Sequence, residues 1–160
     1  MKSNQIKYGC KKVVYFFVKI VYNNSIMEKS VIFVDGGSSR QRELAFDAAS
    51  FAWMQLMPRI RKCVINIELK NLKGYDGTCF DFNTREYLIE VNKKLSLTDN
   101  FLTTIFHEMV HVKQYVRKEL FSECNFYNNR EEYLNLPWEV EAYRVQEELL
   151  DEWKSRKIRT

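Results

Sequence analysis

DNFLTTIFHEMVHVKQYVRKEL, from Asp99 to Leu120, is the stretch on which the fold turns. Phe101, Leu102, Ile105, Met109, Val112, Val116 and Leu120 recur at three- and four-residue spacing, the apolar stripe of an amphipathic helix facing a core. Asp99 is a candidate N-cap for a helix from Asn100 to about Leu120. His107 and His111 stand one turn apart on a face roughly opposite the stripe, so both imidazoles can reach one point. They are the only two histidines in 160 residues. The neighbours Thr104-Ile105-Phe106 and Val112 are uncharged, as a buried metal-binding helix requires. Histidines at this spacing with Glu108 beside them read as metal ligands with a base, rather than as satisfied core residues.

Working outward, a strand is expected over Val13 to Tyr22 and another over Ser30 to Asp35. Asp35-Gly36-Gly37 reads as a turn, because glycine accepts positive φ without strain. Leu44, Ala48, Phe51, Ala52 and Leu56 predict a helix over Arg40 to Leu56, ending before Pro58. Cys63 to Leu69 alternates as a strand, and Gly74 to Gly77 is a loop. Thr78 to Phe82 and Glu86 to Val91 predict a hairpin around Asn83-Thr84. Phe121 to Leu136 reads as irregular. Pro137 opens a last helix that runs to about Lys154. This order predicts an α+β fold: a small, twisted, mainly antiparallel sheet packed against helices, with the histidine helix central.

Composition narrows the class. The chain has 46% hydrophobic and 14% aromatic residues with five Gly and two Pro, which excludes a disordered or collagen-like chain. A single domain over residues 1–160 is expected. The net charge of +4 is spread along the chain. Lys11-Lys12, Arg59 to Lys62 and Lys154 to Arg159 are the basic clusters, and they read as helix ends and termini rather than as a nucleic-acid footprint. Cys10, Cys63, Cys79 and Cys124 contain no C-x-x-C pair and are expected to be free thiols. With no long apolar run and no cleavage-site pattern, a cytoplasmic protein away from membranes is expected.

Zinc suits the pair because it accepts neutral imidazole and carboxylate in a tetrahedral site. A third ligand has to come from elsewhere, and the carboxylates of Pro137-Trp138-Glu139-Val140-Glu141-Ala142-Tyr143 are the candidates. Trp138, Ala142, Val145, Leu149 and Trp153 form the apolar stripe of that helix. Glu139 lies at the stripe's edge and Glu141 on its farther flank, so Glu139 is the choice and Glu141 the runner-up. Glu147, Glu148 and Glu152 read as solvated glutamates.

The two runs, His107 to Tyr115 and Tyr133 to Tyr143, resemble a small gluzincin-type (zincin) metallopeptidase, similar to SprT-like and virus-encoded zinc peptidases. The resemblance covers about Glu86 to Leu150. It implies a zincin-like fold and a Zn2+ cofactor held by His107, His111 and Glu139. Glu108 would be the general base of peptide-bond hydrolysis, acting on a peptide or protein substrate. In such proteins an edge strand pairs with the extended substrate; here that would be Thr78 to Phe82 or Glu86 to Val91. Tyr115 and Tyr143 are candidate donors to the oxyanion. The chain departs from the pattern in two places. Tyr143 stands where many gluzincins carry an aspartate behind a histidine ligand, and the third histidine usual in SprT proteins is missing, so a DNA-linked role is not implied. A monomer in the cytoplasm, the host's if virus-encoded, is expected. The alternative is a zinc-stabilised module that binds peptide or nucleic acid without cutting.

Overall fold

The computed structural model describes residues 31–60, 62–82, 85–119 and 129–157. The strand expected over Val13 to Tyr22, together with Cys10 and Cys124, lies outside the described residues. The elements are β1 (Val31–Gly36), α1 (Ser39–Leu56), β2 (Val64–Lys70), β3 (Gly77–Asp81), β4 (Glu86–Asn92), α2 (Asp99–Arg117), α3 (Arg130–Leu134) and α4 (Pro137–Lys157).

Alternation along the strands makes the sheet one-sided. Ile32, Ile65 and Tyr87 lie side by side across β1, β2 and β4, as do Val34, Ile67 and Ile89, and all six are buried. The helices cover that face. Ala45, Ala48, Ala49 and Ala52 of α1 are buried, and their small side chains leave room for close approach. Phe51 of α1 meets Phe106 of α2 and Trp153 of α4 at centroid distances of 5.9 and 5.3 Å, so three helices share one aromatic cluster. Burying such side chains is worth roughly 1.5–3 kcal/mol each, which is what holds the layers together.

The entry to α1 is fully specified by local chemistry. Ser38 Oγ accepts from the Gln41 amide and Gln41 Oε1 accepts from the Ser38 amide, a capping box. The preceding Gly36 has φ +77, and a Cβ there would sit 2.2 Å from the Leu69 carbonyl oxygen, so only glycine fits the turn.

The fold class is as expected, a mixed α+β domain with a small four-stranded sheet packed against helices. The expectation of a mainly antiparallel sheet is wrong. Strand order is β1-β2-β4-β3; β1 pairs with β2 and β2 with β4 in parallel, and only β3 and β4 are antiparallel. The helix α1 carries the chain back over the sheet between β1 and β2, which makes those strands run the same way. The hairpin then enters with its second strand against β2, leaving β3 at the edge. Smaller differences follow from end chemistry. Helix α2 starts at Asp99 with Thr98, not Asp99, as its cap residue, and it stops at Arg117 because Lys118 turns left-handed at φ 58. Gly77 belongs to β3 rather than to the loop before it, and the stretch read as irregular holds the short helix α3.

No described helix is long and apolar enough to cross a membrane. Cys63 and Cys79 are free thiols, and burial pushes the Cys63 thiol up to about 11.

Candidate metal centre

His107 and His111 lie on α2, which packs against α1, α4 and the β3–β4 end of the sheet. Most of the expected apolar stripe is buried, and so are Phe106 and Val110 beside it, so the helix is enclosed on more sides than the stripe alone indicates. The histidine face is the one turned to α4 and to an open cleft of about 1260 Å³. Glu139, in the first turn of α4, is only 1% exposed and enters this face.

The three side chains converge. The two imidazole Nε2 atoms are 3.1 Å apart, and each lies 3.3 Å from an oxygen of Glu139. Among the described residues these three form the cluster able to share one metal ion. Glu141, the runner-up, is elsewhere: its carboxylate accepts from Gln114 and pairs with Lys113. Glu147, Glu148 and Glu152 are exposed as expected.

The donor chemistry of the cluster is one-sided. His107 Nδ1 lies 2.9 Å from Gln146 Oε1, and His111 Nδ1 lies 2.8 Å from Gln114 Oε1. Gln146 Nε2 donates to Glu147 Oε1 at 3.0 Å, which turns its amide oxygen toward the ring. Both imidazoles therefore donate from Nδ1, and both Nε2 lone pairs point inward. Two lone pairs and two carboxylate oxygens then face one another with no hydrogen between them. Glu139 Oε1 is buried with no hydrogen-bond partner. Such a group of acceptors is stable only around a positive charge, a proton or a metal ion. A tetrahedral zinc site with bonds of about 2.0–2.1 Å has neighbouring donors about 3.3 Å apart, so the residues present fit zinc in both type and spacing.

Titration directions express the same demand. Burial lowers the His111 pKa, but Glu139, Glu108 and Gln114 outweigh it and leave the imidazole above its ordinary value. Burial raises Glu139, yet the two imidazoles and a hydrogen bond from the Tyr133 hydroxyl hold its carboxyl well below the usual range. Glu108 is 5% exposed, and burial pushes its carboxyl up to about 7 against the pull of His111 and His107. A group poised there can both take and return a proton near neutral pH.

Several participants left no mark in the sequence reading. Gln114 and Gln146 hold the rings. Tyr143 instead lays its ring against His107, with centroids 4.8 Å apart. Tyr115 stacks on Tyr87, and its hydroxyl is pushed up to about 12 by burial. Tyr133, on α3, is the tyrosine that bonds Glu139. Gly77 lies under Glu108: a Cβ there would be 2.7 Å from both Glu108 Oε1 and Thr104 Cγ2. Of the two strands considered for the edge, β3 is the outer one and β4 lies inside. Asn92 donates to the Asp76 carbonyl and Phe82 to that of Glu86. By antiparallel alternation, Gly77 and Cys79 turn their amides and carbonyls away from β4, along one side of the cleft.

No family model, curated protein or solved structure matches this chain.

Proposed function

We propose that the protein is a zinc-dependent metallopeptidase of the gluzincin type, with His107, His111 and Glu139 as ligands and Glu108 as general base. The observation that carries the reading is the inward-facing trio of Nε2, Nε2 and carboxylate at tetrahedral spacing, beside a buried carboxyl at the wall of an open cleft. A purely structural metal site would have no use for Glu108, and a closed four-ligand site would not open on a cleft.

Zinc held by these residues supplies Lewis acidity that acidifies water and polarises a carbonyl. The chain does the rest. The outward amides and carbonyls of Gly77 and Cys79 take the substrate as an added strand and align its scissile bond along the cleft. Glu108 removes a proton from the attacking water and delivers it to the departing amine nitrogen. The Tyr133 hydroxyl, whose one proton rests on the Glu139 carboxylate, would switch that bond to the developing oxyanion, for which the stacked Tyr115 and the ring-packed Tyr143 are less well placed. Gln146 and Gln114 keep both rings in the tautomer that ligation needs.

The test is zinc content together with cleavage of a mixed peptide library. Wild type is expected to hold one zinc per chain and to cleave; Glu108→Gln is expected to hold zinc and lose cleavage. Cleavage by that variant at the wild-type rate would end the proposed mechanism, and metal without any cleavage in wild type would favour a binding module.

A further inference from the structure

The geometry assigns Gln114 as the positioning residue that sets two of the proposed ligands at once, the ring of His111 and the helix turn that carries Glu139; this rests on the metal-site reading above. Gln114 is 0% exposed, in a helix face where a neutral polar side chain needs all its hydrogen bonds. Its Nε2 donates to the Trp138 carbonyl and to Glu141 Oε2, both at 2.9 Å. Those two partners can only accept, so the amide cannot turn over, and its oxygen must face His111 Nδ1 at 2.8 Å. That oxygen requires a hydrogen on Nδ1 and leaves the lone pair on Nε2.

The other end of the amide grips α4. Trp138 precedes Glu139 and Glu141 lies two residues after it, so the amide holds the backbone and side chain on both sides of the ligand. Lys113, itself 7% exposed, pairs with the second oxygen of Glu141 and fixes that carboxylate where the amide needs it. Two neighbouring residues of α2 thus orient the turn of α4 that completes the site. Glu141 serves the site through Gln114, not as a ligand.

Two readouts on the full chain test this: zinc affinity by competition with a chromophoric chelator, and the His111 tautomer in metal-free protein by long-range proton–nitrogen NMR correlation. Gln114→Leu fills the same space without hydrogen bonds. It is expected to weaken zinc binding about 10–100-fold and to release His111 from the Nδ1–H form. Gln114→Glu keeps an acceptor on that nitrogen and is expected to keep the tautomer, with a smaller loss of affinity. In Glu141→Ala the Trp138 carbonyl still orients the amide, so the tautomer stays and affinity falls by less than about threefold. Zinc affinity within about twofold of wild type in Gln114→Leu, with the tautomer unchanged, overturns the assignment. Should the leucine variant not fold, loss of the Nδ1–H form in Gln114→Glu overturns it instead. A wild-type chain that takes up no zinc defeats the metal reading alone, since the tautomer comparison still decides what Gln114 does.

Discussion

On the proposed function, Gly77→Ala should damage catalysis without touching His107, His111 or Glu139. The added methyl would lie 2.7 Å from Glu108 Oε1, 2.7 Å from Thr104 Cγ2 and 3.1 Å from Glu108 Cγ. Ordinary heavy-atom contacts sit at about 3.5–4.0 Å, so something must move by roughly 1 Å. Thr104 is β-branched and anchored in α2, where its hydroxyl donates to the Asn100 carbonyl at 2.8 Å, so it yields less readily than Glu108. A misplacement of about 1 Å in a reacting group costs on the order of 100-fold in rate, which is about 2.7 kcal/mol of transition-state stabilisation. Overpacking should cost a further ~1–3 kcal/mol of folding stability. Zinc affinity should hold within about threefold, because His107, His111 and Glu139 lie on α2 and α4 and keep their spacing. The assay is kcat/KM on a peptide substrate beside zinc affinity and Tm. Adding Thr104→Ser removes the Cγ2 contact and should restore part of the rate. If Gly77→Ala cleaves within about threefold of wild type, the placement of Glu108 against β3 is not what orients it.

Two further outcomes are expected. Metal-free protein should lose stability as pH rises from about 5 to 7.5: the Glu108 carboxyl, raised to about 7 from 4.5, binds a proton in the native state that the unfolded chain gives up, a difference on the order of 3 kcal/mol. His111, also raised, adds to the fall above its ordinary 6.5, while Glu139, held low, withdraws stability only as pH drops below 4.5. Thermal melts in chelator should show this, Glu108→Gln should flatten it, and a Tm that climbs over the window would refute the burial argument; zinc at about 100 times its Kd should restore roughly 2.7 kcal/mol. Tyr133→Phe should lower kcat about 100-fold with little change in KM, whereas a proportional loss of zinc affinity would mean that the hydroxyl only holds Glu139.

Helical periodicity was enough to place His107, Glu108 and His111, because residues four apart share a face whatever the helix packs against. Strand alternation likewise marked Cys63 to Leu69 as the strand that became β2, and Pro137 marked the start of α4. Amphipathic phase favoured Glu139 over Glu141 for the same local reason: the residue nearer the packed stripe is the one that enters a buried site. The remaining features join elements far apart in the chain. Strand order, and with it the parallel pairing, depends on where α1 returns the chain, which alternation within a strand does not encode. Gln146, Tyr133 and Gly77 became part of the site only when α4, α3 and β3 closed around α2. Their residue types carry no spacing signal, since a glutamine or tyrosine on a helix face looks the same in solvent as behind a histidine. Side chains are assigned to a face by the backbone's own geometry, but their partners across that face are chosen by packing.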